Sequence, residues 1–129
     1  MIGSTRQISV FACGTPTDMR KSFDSLHALV SLQLKRDALS GDMFLFVSKN
    51  RRRAKVLFWD GTGLCIFAKR LENQLFAAPW KRLGPDGVMR MTTSELALFL
   101  EGSELVGRVA LSPAPFTLAA QAKASPASG

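Results

Sequence analysis

The apolar positions of this chain fall into several short uninterrupted runs and one stripe of helical spacing. Residues 7–13, QISVFAC, combine β-branched and aromatic side chains and predict a first strand. From 19 to about 36, Phe23, Leu26, Leu29, Val30 and Leu34 recur three, four and five positions apart, which predicts an amphipathic helix. Asp18 stands just ahead of it as a candidate cap, because a carboxylate there accepts the unpaired N–H groups of the first turn. Ser40-Gly41-Asp42 predicts a turn. MFLFV (43–47), KVLFW (55–59) and GLCIFA (63–68) are three apolar runs of strand length. Asp60-Gly61-Thr62-Gly63 between the last two is a hairpin signal, since glycine accepts the positive φ that tight turns require. QLFAA (74–78) predicts an edge strand that ends at Pro79. A loop with Gly84, Pro85 and Gly87 follows, and VMRM (88–91) predicts one more short strand. Thr92 and Glu95 have the spacing of a capping box ahead of Leu96, Phe99 and Leu100, and Gly102 suits the stop of that helix.

Together these elements predict a small α+β domain. A mostly antiparallel β-meander over roughly residues 43–78 carries one longer N-terminal helix on one face, and one short C-terminal helix closes the core. A length of 129 residues with 47% apolar content fits a single domain with a real core. After about residue 109 the sequence turns to Pro, Ala and Ser, so residues 1–109 are read as the domain and 110–129 as a disordered tail.

Candidate chemistry is sparse. The two cysteines, Cys13 and Cys65, and the one histidine, His27, form neither a CxxC pair nor a zinc-site spacing. His27 lies beside the helical stripe and reads as structural. Nothing suggests a disulfide framework, a signal peptide or an apolar run near the ~20 residues of a membrane span, so a cytoplasmic protein with no membrane contact is expected. Asp18 reads as a cap, and Asp42 and Asp60 as turn residues. With Asp24 and Glu72 they make no recognisable catalytic set. No Walker or GxGxxG pattern is present. No enzyme activity, cofactor or metal is expected.

Charge changes the picture more. The formal net charge is +7 and the pI about 10.1, a balance that favours a polyanionic partner. Residues 48–82 hold Lys49, Arg51, Arg52, Arg53, Lys55, Lys69, Arg70, Lys81 and Arg82 against only Asp60 and Glu72, so this stretch alone matches the net charge of the whole chain. A hairpin turn centred on Gly61-Thr62 sets Trp59 opposite Leu64, Leu57 opposite Ile66, Lys55 opposite Ala68 and Arg53 opposite Arg70. Two basic clusters separated in sequence then converge at one end of the sheet. Like charges facing each other across strands cost a few tenths of a kcal/mol or more, and an anion relieves that repulsion. Arginine suits phosphate because its planar fork donates two parallel hydrogen bonds. The bland alternative is a charged hairpin that only solvates a sheet edge. Lys49, Arg51, Arg52, Arg53, Lys55, Lys69 and Arg70 are the candidate phosphate ligands. Arg20, Lys21, Trp80, Lys81 and Arg82 are possible additions. Strand alternation is read as putting Phe58 and Phe67 on opposite faces, and Trp80, after Pro79, as the better candidate for an exposed aromatic.

DMRKSFDSL (18–26), SGDMFLFVSKNRRRAKVLFWDGTGLCIFAKRLE (40–72) and ELALFLEG (95–102) resemble the TnpB accessory-protein family of insertion-sequence family sixty-six, the Orf2-like family. The likeness covers about residues 8–106. It implies a bacterial mobile-element protein working beside a separate, larger transposase that carries the catalytic residues. It supplies no established active-site residues. By motif it covers Asp18, Met19, Arg20, Lys21, Arg51 to Arg53, Lys55, Trp59, Asp60, Gly61, Lys69 and Arg70. Where relatives continue as Leu-Glu-Arg-Gly-Arg-Phe, this chain has Leu71-Glu72-Asn73-Gln74-Leu75-Phe76, two positive charges and a turn glycine fewer. The expected function is a non-catalytic accessory role in DNA transposition, with the basic hairpin on the phosphates of element-end DNA and the transposase as a partner. A module bridging transposase subunits without DNA affinity is the alternative. A phosphoryl-transfer enzyme would need at least two carboxylates beside the arginines.

Overall fold

The computed structural model describes residues 7–102. Its elements are β1 (Val10–Ala12), α1 (Phe23–Leu32), β2 (Met43–Val47), β3 (Arg53–Trp59), β4 (Leu64–Arg70), a 3₁₀ turn (Pro79–Lys81), β5 (Met89–Met91) and α2 (Thr93–Leu100). The expected tail, 110–129, and the last residues of the expected domain lie outside the described residues. No helix among the described residues is long and apolar enough to cross a membrane.

The strands form one five-stranded sheet in the order β4-β3-β2-β1-β5. The α+β class stands, but the sheet is mixed. β2-β3-β4 is the expected antiparallel meander, whereas β1 runs parallel to β2, Val10 beside Met43 and Ala12 beside Leu45. The longer helix is therefore not the N-terminal element. It is the crossover between two parallel strands, which need an intervening helix to bring the chain back to the same end. β1 is buried along its whole length because it sits inside the sheet with side chains packed on both faces.

Strand alternation divides the core in two. Phe11, Leu26, Val30, Leu34, Phe44, Phe46 and Leu57 pack under α1. Val10, Ala12, Leu45, Val47, Val56, Phe76 and Phe99 pack on the other face, under α2, where Phe76 and Phe99 stack with ring centroids 5.6 Å apart.

Three expectations at the level of elements are corrected. Helix α1 begins later than predicted and takes Ser22, not Asp18, as its cap: the Ser22 N–H donates to Ser25 Oγ at 2.9 Å. It ends early because Lys35 adopts the left-handed conformation, φ 58°. Residues 74–78 form no strand. Phe76 and Ala77 are instead buried in the α2-side core, Ala78 is buried as well, and the segment is held to the sheet through the Phe76 N–H and the Arg51 carbonyl (2.8 Å). Helix α2 is as expected: Thr92 Oγ1 accepts from the Glu95 N–H (3.1 Å) and Glu95 Oε1 accepts from the Thr92 N–H (2.8 Å).

Candidate functional site

The hairpin of β3 and β4 has the register expected from its turn. Trp59 faces Leu64, Leu57 faces Ile66, Lys55 faces Ala68 and Arg53 faces Arg70. The turn is fixed by Asp60, whose Oδ1 accepts from the N–H groups of Thr62 and Gly63, both 2.9 Å. Those backbone donors, with the Thr62 hydroxyl, stabilise the carboxylate and lower its pKa. Gly61 supplies a φ of 107° at the tip.

At the opposite end of the hairpin Arg53 and Arg70 stand side by side on the α1 face, since directly paired residues share a face. The same end holds the 48–52 connection, the last residues of β2 and, because β1 is parallel to β2, the loop that leaves β1. That loop continues along β2, with the Cys13 N–H donating to the Leu45 carbonyl (2.8 Å) and the Thr17 N–H to the Val47 carbonyl (2.9 Å). It brings Thr17, Asp18 and Met19 against the basic cluster. Two open clefts result. One, of about 340 Å³, is lined by Met19, Arg53, Ala54, Lys55, Ala68, Lys69 and Arg70. The other, of about 700 Å³, is lined by Thr17, Asp18, Met19, Ser48, Lys49, Asn50 and Arg53. Met19 and Arg53 belong to both, so the two form one continuous depression.

The loop at 48–52 is held by its own polar groups. Ser48 Oγ donates to Asn50 Oδ1 (2.8 Å), the same Oδ1 accepts from the Arg52 N–H (3.0 Å), and Ser48 Oγ accepts from the Arg53 N–H (3.1 Å). Arg51 takes the left-handed conformation, φ 62°. The three consecutive arginines therefore point apart. Arg53 lines the depression, Arg52 donates from Nη1 to the Glu72 carbonyl (3.3 Å), and Arg51 is half-buried with its carbonyl accepting from Phe76.

Of the residues singled out from sequence, Lys49, Arg53, Lys55, Lys69 and Arg70 line the depression. Lys55 is partly committed to structure, because its Nζ donates to the Lys21 carbonyl at 2.7 Å and ties the loop before α1 to the sheet. Arg70 Nε pairs with Glu72 Oε2 at 3.1 Å, both side chains mostly exposed, so the pair contributes little to stability. Arg20 lies in the loop that carries Met19. It grips Asp18 through Nε and Nη2 at 2.7–3.1 Å, and these hydrogen bonds hold the Asp18 carboxyl far below the usual carboxylate range and raise the Arg20 pKa. Asp18 is thus a surface clamp and not the helix cap expected. Trp80 packs against the α2-side core, and neither it nor Lys81 nor Arg82 lines either cleft. Phe58 and Phe67 share one face, contrary to expectation, because Phe67 pairs with Val56 and Val56 and Phe58 are two apart on one strand.

Thr17, Ser48 and Asn50 were not singled out, and Met19 entered only through the family motif. Ser48 and Asn50 had a local signal, since Ser and Asn ahead of a basic run favour side-chain-capped turns. Met19 had none, because its place depends on the parallel pairing of β1 and β2. Among the described residues no group of three or more His, Cys, Asp or Glu is arranged to hold a metal ion. The two carboxylates nearest the arginines, Asp18 and Glu72, each hold an arginine of their own. The depression offers several cations to an anion and no paired nucleophile and base.

The family model described as IS66 Orf2 like protein matches residues 8–109. The chain is 33% identical over 102 residues to the uncharacterized protein y4jC of Sinorhizobium fredii, covering 79% of this chain and 85% of that one. It is 32% identical over 102 residues to the uncharacterized protein y4hO of the same organism, covering 79% and 86%. No solved structure matches.

Proposed function

This chain belongs to the IS66 Orf2-like family, an accessory family of insertion sequences, and from that premise we propose that it is a non-catalytic DNA-contacting factor in transposition. The ligand of the depression is the phosphodiester backbone of element-end DNA, presented to or shared with the transposase of the same element. The observation that carries this reading is the direct pairing of Arg53 with Arg70 on an open face, with Lys49 lining the same depression. Cross-strand like charges are unfavourable in the free protein, and a phosphate between them converts repulsion into two charge-assisted contacts. Contacts of this kind position a protein without reading sequence, so element-end DNA and unrelated DNA of equal length bind alike, and specificity belongs to the transposase.

The test is binding of the purified protein to both DNAs across a salt series. With ~4–6 phosphate contacts, log K falls against log salt with a slope of about −4 to −5. Replacing Arg51, Arg52 and Arg53 together by Ala flattens the slope by roughly 1–3. No binding at low salt, or an unchanged slope in the triple variant, overturns the proposal and leaves an acidic protein surface as the partner of the cluster.

A further inference from the structure

We propose that β4 is a self-association edge: it pairs antiparallel with β4 of a second copy of this chain, centred on Phe67, to make one ten-stranded sheet. Among the described residues β4 is hydrogen-bonded to β3 alone, so its outer edge presents unpaired backbone groups. Soluble proteins blunt such edges with short strands, bulges, prolines or charges. This strand is seven residues long and matches β3 one to one from Arg53↔Arg70 to Trp59↔Leu64 without a bulge. Its first five residues, Leu64 to Ala68, carry neither charge nor proline. Phe67, at its centre line, is 47% exposed.

Charge selects the occupant and the register. A parallel self-pairing would set Lys69 and Arg70 against their own copies, which is unfavourable. An antiparallel pairing centred on Lys69 brings the two Lys69 side chains together. The pairing centred on Phe67 uses all seven residues and sets Leu64 against Arg70, Cys65 against Lys69 and Ile66 against Ala68. No like charges face each other, and the two Phe67 rings meet across the two-fold axis on the same face. The opposite edge of the sheet offers no alternative, since β5 has only three residues with Arg90 at its centre, ion-paired to Asp86. A β4-to-β5 chain of copies would leave most of the β4 edge unpaired, so the closed two-fold dimer is the form that satisfies it.

The geometry has a consequence that rests on the DNA reading above, although the dimer itself does not. A two-fold axis normal to the sheet keeps both α1 faces on one side. Six residue steps at about 3.4 Å put the two Arg70 positions roughly 20 Å apart along the strands, so both basic depressions face the same way.

Sedimentation analysis of the full-length chain without DNA tests the pairing. A species of twice the 14.1 kDa chain mass is expected at micromolar concentration. Phe67→Lys, which sets two lysines on the axis, weakens dimerisation roughly tenfold or more while the circular dichroism spectrum is retained. Should Phe67→Lys fail to fold, the register is read by cross-linking. Phe67→Cys in a Cys65→Ser background forms a disulfide-linked dimer under mild oxidation, and Asn73→Cys in the same background does not. A monomer across the concentration range, a dimer indifferent to Phe67→Lys, or equal cross-linking at both positions overturns the proposal. Each readout is free of DNA, so its failure is distinct from failure of the DNA reading.

Discussion

Arg51 shows at the scale of one residue how the basic loop trades stability for charge. Its φ of 62° lies where a Cβ crowds the backbone, a conformation that costs a non-glycine residue about 1–2 kcal/mol. Asn50 and Ser48 enforce it by fixing the N–H groups of Arg52 and Arg53. Glycine at this position removes the crowding but adds chain entropy to the unfolded state. Arg51→Gly is therefore expected to raise unfolding stability by roughly 0.5–1 kcal/mol in denaturant titration. If Arg51 contacts phosphate, the same variant lowers the salt slope of DNA binding by about 1. A destabilised variant would mean that the arginine side chain has packing contacts worth more than the strain. Lys55 makes the complementary point. Nothing in its neighbours along the chain signals that its ammonium ends on the Lys21 carbonyl, because that carbonyl comes from a loop 34 residues away.

At the scale of the element, the β3-β4 hairpin is the most legible part of the molecule. Asp60-Gly61-Thr62-Gly63 supplies both the carboxylate that captures the turn N–H groups and the glycine that turns the chain, so the register follows from local chemistry. Opposing Arg53 to Arg70 is a direct consequence of that register. Arg53→Glu converts the pair from like to opposite charge and is expected to stabilise the fold by about 0.2–1 kcal/mol while weakening DNA binding. Loss of stability together with loss of binding would show that Arg53 serves the fold instead. Other elements were less legible. Asp18 and Ser22 both precede the helix and both are good caps; Arg20 engages the aspartate, and the serine remains. Residues 74–78 have strand composition, yet a run of apolar residues reads the same whether it pairs or simply packs. Here it packs, because the α2-side core needs Phe76 against Phe99.

At the scale of the whole molecule the sheet separates two apolar layers, one under α1 and one under α2. Val30 and Phe99 lie in different layers and share no core cluster. Val30→Ala and Phe99→Leu are each expected to cost about 1–3 kcal/mol, and the double variant should cost their sum to within ~0.5 kcal/mol. A larger coupling, measured by chemical denaturation, would mean that the layers communicate through the sheet. The architecture also fixes where the basic site can be. Because β1 and β2 are parallel, the loop after β1 and the connection after β2 meet at one end, and the cluster acquires Met19, Thr17 and Asp18 as neighbours.

The sequence by itself determined the elements whose signals are local: the apolar runs of β2, β3 and β4, the hairpin register, the Thr92–Glu95 capping box, and the meeting of Arg53 with Arg70. It also determined the family, through motifs carried in contiguous stretches. Only the tertiary structure decided that β1 enters the sheet parallel to β2, that residues 74–78 pack rather than pair, and that Lys55 serves a backbone carbonyl. Each of those depends on partners 20 or more residues away in the chain. Periodicity and turn chemistry report the preferences of neighbours, while long-range pairing is settled by which apolar surfaces can be buried together once the whole chain is folded.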